Sequence, residues 1–148
     1  MGASVSRRLL LQAGCASGLA LAGLPARACE FWGTTLRVIH PWTRATAEGE
    51  TTAVVCMQFD DVLQDDRLVG IETAIAGAAE MGGVGAGPRV DFAIPKGRAS
   101  HLGEHGSFVR LLGLTQALEP GRSYPIRLLF EVGGPLRADL SVDFARFL

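Results

Sequence analysis

The chain has 148 residues, enough for one domain, and its content of 48% hydrophobic and 20% charged residues excludes the disordered, collagen-like and coiled-coil classes. Its formal net charge of −1 argues against a protein that binds nucleic acid by neutralising phosphates. No interior apolar run is long enough to predict a membrane span, and three cysteines are too few for a disulfide scaffold.

Residues 1–28 have the pattern of a cleaved export signal. Ser6-Arg7-Arg8 gives a charged start, residues 9–24 carry no charge and are mostly apolar or small, and Ala26-Arg27-Ala28 suits signal peptidase cleavage. A serine before the arginine pair and leucines after it resemble the twin-arginine motif, and an ordinary secretory signal is the alternative. The sequence therefore predicts a periplasmic protein without a membrane span after cleavage.

Removal of residues 1–28 takes away three of the 14 basic residues and none of the 15 acidic ones, which leaves a mature chain of net charge −4. That chain retains Cys29 and Cys56. In an oxidising compartment the two could form a disulfide. Two free thiols, or thiolates that bind a soft metal, are the alternatives, and the spacing does not decide between them because no Cys-x-x-Cys is present.

The mature chain has the pattern of an all-β protein, with short apolar runs between Gly, Pro and Asp and no stretch of helical periodicity. A strict alternation of apolar and polar residues in the last run predicts a strand with one buried face. Seven or eight strands in about 120 residues predict a β-sandwich or a small Greek-key barrel. The predicted strands cover residues 35–39 (ended by His40-Pro41), 51–59, 67–73, 77–81, 89–94, 107–112, 124–132 and 136–145.

No catalytic or phosphate-binding motif is present, and the sequence predicts that the protein is not an enzyme. Residues 82–87 are rich in glycine, but no helix follows them, so they are typical of a flexible hairpin loop rather than a phosphate loop. Four aspartates within residues 60–66 match no calcium-loop spacing and are typical of a solvated connection.

Histidines and methionines are the remaining candidate metal ligands. His40 ends the first predicted strand, and His101 and His105 lie in a polar loop. Met57 lies in a predicted core strand and is expected to pack there, whereas Met81 ends the 77–81 strand beside the glycine-rich loop, where it could be exposed. Thioether and imidazole ligands together suit Cu(I).

Several segments, in chain order, resemble the periplasmic copper chaperones of the PCu(A)C type. The resemblance spans about residues 36–142 and implies a single cupredoxin-like β-sandwich domain over residues 29–148. It also implies copper as the bound metal and a periplasmic or membrane-bound copper-accepting partner. The segments cover residues 36–46, with Trp42-Thr43-Arg44-Ala45, and residues 66–70, 78–80, 94–97, 111–114, 118–121 and 124–130.

The same resemblance implies copper ligands that this sequence largely lacks. The family uses a His or Met, a second Met, and a later His-x-Met pair, which falls here on Phe108 and Arg110. Met81 lies near the first ligand position, and His101 or His105 could replace the missing histidine. The predicted metal ligands are therefore Met81, His105 and His101, with Cu(I) as the metal.

The sequence is compatible with three functions. The first is a divergent copper chaperone. The second is a ligand-poor relative that binds a protein partner or an anionic small molecule near Arg110 without a metal. The third, an unrelated exported enzyme, ranks last because no nucleophile-base pair or acid pair is recognisable.

Overall fold

The computed structural model describes residues 29–143, and the predicted export signal at residues 1–28 lies outside them. The described residues form an all-β domain, as expected, and none of them forms a helix long and apolar enough to span a membrane. The ten strands are β1 (Glu30–Trp32), β2 (Arg37–Arg44), β3 (Thr52–Asp60), β4 (Asp66–Glu72), β5 (Ala78–Gly83), β6 (Phe92–Ile94), β7 (Ser100–Leu102), β8 (Ser107–Leu112), β9 (Ser123–Phe130) and β10 (Gly134–Asp143).

The strands form one curled sheet in the order β5-β8-β3-β2-β10-β9-β4-β6, with β1 added to β2 and β7 added to β3. All pairs are antiparallel except β2 and β10, which run parallel. Residues 52–55 of β3 pair with β8, and residues 57–59 pair with β7. Strand β3 therefore changes partners at Cys56, the residue between the two ladders.

The inner face of the curled sheet holds the hydrophobic core. Phe59 of β3 is fully buried, and its ring centroid lies 5.9 Å from that of Phe92 and 6.1 Å from that of Phe130. The predicted alternation of the last strand is confirmed, because Leu140 and Val142 of β10 are buried while the intervening residues face outward. Burial of each such aliphatic side chain stabilises the fold by roughly 1.5–3 kcal/mol.

Two predictions about the strands are wrong. The structure has ten strands rather than seven or eight, because β1 and β7 contain only three residues each and are too short to show alternation. Strand β2 does not end at His40-Pro41. It passes through a β-bulge in which His40 has φ +45° and the pairing with β3 shifts between Ile39 and Trp42. A bulge accepts proline because no ladder hydrogen bond is required there.

Strand β5 continues to Gly83, and the chain then folds back, so residues 82–87 form the hairpin loop that the sequence predicted. Met81 and Gly87 donate backbone hydrogen bonds to each other's carbonyls, at 3.0 and 3.1 Å. The aspartates of residues 60–66 are not all solvated. Asp60 forms an ion pair with Arg37, and Asp66 is buried among four hydrogen-bond donors.

Candidate functional site

The positions aligned with the later copper ligands of the resembled family lie on β8, next to β5. The ladder places Glu80 opposite Arg110 and Gly82 opposite Phe108. Because alternate residues of a strand share one face, these four residues lie together on the outer side of the sheet, and Met81 faces the inner side. We call Glu80, Gly82, Phe108 and Arg110 the β5–β8 face.

The Phe108 ring and the Arg110–Glu80 ion pair cover the β5–β8 face. The Phe108 ring covers Gly82 so closely that a Cβ atom at residue 82 would lie 2.7 Å from the ring Cζ. Arg110 donates from Nη1 to Glu80 Oε1 at 2.9 Å, and its guanidinium lies 5.4 Å from the Phe108 ring centroid. A guanidinium and a phenyl ring offer no lone pair to a soft cation, so this face has no donor set for Cu(I).

Met81 lies in the core rather than at an exposed strand end. Only 3% of its surface is accessible, and it packs in the same buried cluster as Met57, whose predicted core position is confirmed. The expectation that Met81 could be exposed is wrong, because the pairing of β5 with β8 places Met81 opposite the buried Val109, on the inner face of the sheet.

The structure does not bring the three predicted ligands together. His101 lies on β7 opposite Gln58, and His105 lies in the turn between β7 and β8. Both histidines are exposed, whereas Met81 is enclosed on the inner side of the sheet. Across residues 29–143, no three His, Cys, Asp or Glu side chains are close enough to one another to hold a metal ion.

Cys29 and Cys56 are both free thiols. Strand β1, which follows Cys29, pairs with one edge of β2, while Cys56 on β3 pairs with the other edge, opposite Trp42. Two strand spacings amount to about 10 Å, and Cα atoms more than about 7 Å apart cannot be bridged without backbone movement. In this conformation the two thiols are therefore unpaired, which is one of the three alternatives that the sequence left open.

Cys56 lies at the floor of an outward-facing groove of about 320 Å³. The residue is 1% exposed, and burial, followed by the negative charge of Glu104, raises the pKa of its thiol to about 11. Without a bound metal, the thiol is therefore protonated at neutral pH. The groove is lined by Ile39, His40, Trp42, Cys56, Met57, Gln58, His101, Leu102 and Gly103.

A bidentate ion pair holds the β7–β8 turn beside this groove. Arg44 donates from Nε and Nη2 to the two carboxylate oxygens of Glu104, at 2.5 and 3.0 Å. The hydrogen bond from Arg44 keeps the pKa of Glu104 below its ordinary value, against the effect of burial. Arg44 belongs to the Trp-x-Arg-Ala segment that carried the resemblance, but no sequence pattern marks Glu104 as its partner.

A sequence profile of the LpqE-like family, which is named for a lipoprotein, matches residues 36–142. This chain belongs to the LpqE-like family. No curated protein matches the sequence significantly.

Solved structures similar to this LpqE-like chain include PCuAC domains. The copper-bound PCuAC domain from PmoF2 is 25% identical with a TM-score of 0.71, and the match covers 78% of this chain and 97% of that domain. The apo PCuAC domain from PmoF1 is 28% identical with the same TM-score, over 78% of this chain and 98% of that domain.

A third similar structure, apo-DR1885 from Deinococcus radiodurans, is 21% identical with a TM-score of 0.60, over 85% of this chain and 90% of that one. That likeness shows the fold. Together these matches confirm the cupredoxin-like β-sandwich and the assignment of the LpqE-like chain as a divergent PCuAC-type domain.

In this LpqE-like chain, Gly82→Ala is expected to lower the free energy of unfolding by about 2 kcal/mol, because the added methyl displaces the Phe108 ring. Urea unfolding of the two single variants and the double variant measures the coupling. In a Phe108→Ala background, the Gly82→Ala change should cost much less, since the ring is gone. An equal cost in both backgrounds would contradict the described packing of Phe108 on Gly82.

Proposed function

We propose that this protein is an exported copper chaperone-like protein that takes part in copper binding or trafficking. The carrying observation is the match to the copper-bound PCuAC domain from PmoF2, which extends over 97% of that domain. Membership of the LpqE-like family, whose matched region spans nearly the whole mature domain, supports the same assignment.

Export to the periplasm belongs to the same proposal. Its support is the charged, apolar and small-residue pattern of residues 1–28, with a twin-arginine type of start. In that compartment the protein would act as a carrier rather than a catalyst, and it would pass copper to a periplasmic or membrane-bound acceptor protein.

A second candidate is a metal-independent binding module with the same fold. The β5–β8 face favours it, because Phe108 fills the space above Gly82 and Arg110 brings a positive charge that pairs with Glu80. A guanidinium at that point opposes a bound cation.

Titration of the purified protein with Cu(I) against a competing chelator tests the copper proposal. We expect one Cu(I) per chain with micromolar or tighter affinity, and we expect the affinity to be unchanged by Arg110→Ala, since this face supplies no ligand. Absence of Cu(I) binding would overturn the copper role and favour the metal-independent module.

A further inference from the structure

The groove that Cys56 lines, called here the Cys56 groove, is also lined by the imidazole-bearing residue His101, and it lies away from the β5–β8 face. His101 of β7 pairs directly with Gln58 of β3, and Cys56 precedes Gln58 by two residues on the same strand. Residues two apart on a strand face the same side, so Cys56 and His101 are diagonal cross-strand neighbours. Such neighbours lie about 7–8 Å apart, within reach of long side chains.

Cys56 is not part of the inner core, although it is buried. Its strand neighbours Val55 and Met57 belong to the core cluster, and Cys56 faces the opposite side of the sheet. On that side of the sheet, Cys56 lines the groove together with Trp42 and Gly103. The exposed His101 lies at the rim of the same groove. The groove thus has a sulfur at its floor and a nitrogen at its opening.

The surroundings hold these two groups in place. The Arg44–Glu104 ion pair fixes the turn that follows His101, and Trp42 lies directly opposite Cys56 in the ladder with β2. These contacts hold the backbone around Cys56 and His101 in place, which reduces the cost of ordering the groove when an ion binds.

We propose that Cys56 Sγ and the imidazole of His101 together bind one Cu(I) ion in this groove. Thiolate and imidazole are both ligands that Cu(I) accepts, and two ligands are enough for this ion. The thiol loses its proton to solvent as the sulfur–copper bond forms, so the buried thiolate and the cation neutralise each other. A neutral pair avoids the large cost of an uncompensated charge at the groove floor.

This inference rests on the proposed copper function, and one set of titrations separates the two. Cu(I) competition titrations would compare the wild-type protein with Cys56→Ser and His101→Ala. Each variant is expected to lose affinity by at least about tenfold. The matched controls are Cys29→Ser, at the other edge of β2, and His105→Ala, in the β7–β8 turn. Both controls should keep the wild-type affinity.

The thiolate-to-Cu(I) absorption band in the ultraviolet gives a second measurement. It should appear when the wild-type protein is loaded and be absent from loaded Cys56→Ser. His101→Ala changes an exposed residue, so it tests the site even if Cys56→Ser fails to fold. Wild-type affinity in both site variants would overturn the site and leave the copper function standing. A wild-type protein that binds no Cu(I) would overturn the function as well.

Discussion

Asp66→Asn is expected to lower the free energy of unfolding by about 3 kcal/mol, because buried donors would lose their acceptor. Asp66 Oδ1 accepts from the backbone N–H groups of Arg67 and Val132 at 2.8 and 2.9 Å. Oδ2 accepts from the Thr35 hydroxyl at 2.6 Å and from the N–H of Gly133 at 3.0 Å. Whichever way an asparagine amide turns, its NH2 faces at least one of the backbone N–H groups.

Urea unfolding of Asp66→Asn, compared with the control variant Asp65→Asn, measures this loss of stability. Asp65 is an exposed neighbour that accepts one backbone hydrogen bond, from Lys96 at 2.7 Å, so its variant should cost less than about 1 kcal/mol. Equal losses in the two variants would show that the Asp66 hydrogen bonds contribute little.

The contribution of Asp66 also has a definite pH dependence. Burial raises the pKa of Asp66, but the hydrogen bonds from the Thr35 hydroxyl and three backbone N–H groups lower it by more than burial raises it. The pKa therefore lies below its ordinary value. A carboxyl whose folded pKa is depressed stabilises the protein above its unfolded pKa of about 3.9 and loses that contribution as the pH falls. The stability difference between wild type and Asp66→Asn should therefore shrink below about pH 4.

Gly83→Ala is expected to destabilise the protein by more than about 3 kcal/mol, because the change combines a steric clash with backbone strain. Gly83 has φ +71°, and a Cβ atom there would collide with the carbonyl oxygen of Gly106 and lie 3.1 Å from its carbon. Both obstacles are backbone atoms, so neither can rotate away as a side chain would.

The variant Gly85→Ala separates the effect of backbone strain from that of the steric clash. Gly85 has φ +77°, but a Cβ atom there would meet nothing within 4 Å. This control should cost only about 1 kcal/mol, the strain of a left-handed conformation. Thermal or urea unfolding of both variants gives the comparison, and a Gly83→Ala variant no less stable than Gly85→Ala would contradict the close approach of Gly106.

The longer strands could be predicted from the sequence, whereas the three-residue strands β1 and β7 could not. Residues 107–112 were placed correctly as β8, and the period of two in β10 correctly gave its buried face. The path of β2 through His40 and Pro41 was not predictable, because a bulge depends on pairing with β3 rather than on local sequence. Likewise, nothing local distinguishes the buried Asp66 from its exposed neighbour Asp65.

The candidate site was predictable only in part. The resemblance aligns Phe108 and Arg110 with the family's His-x-Met pair, and the structure places both on the outer side of β8. The resemblance could not show that Met81 faces inward, because that depends on the register in which β5 pairs with β8. The neighbouring positions of Cys56 and His101 follow from the β3–β7 ladder, which joins distant parts of the chain through a strand too short to predict.

The position of β10 has a consequence for synthesis and truncation. Strand β10, the last strand among the described residues, lies in the middle of the sheet, between β2 and β9. Until β10 is synthesised, β2 lacks its parallel partner and β9 lacks its hairpin partner, so the native sheet cannot be completed before that point. Any stop codon before β10 would leave two open strand edges in place of a finished domain, with the tendency to aggregate that such edges carry.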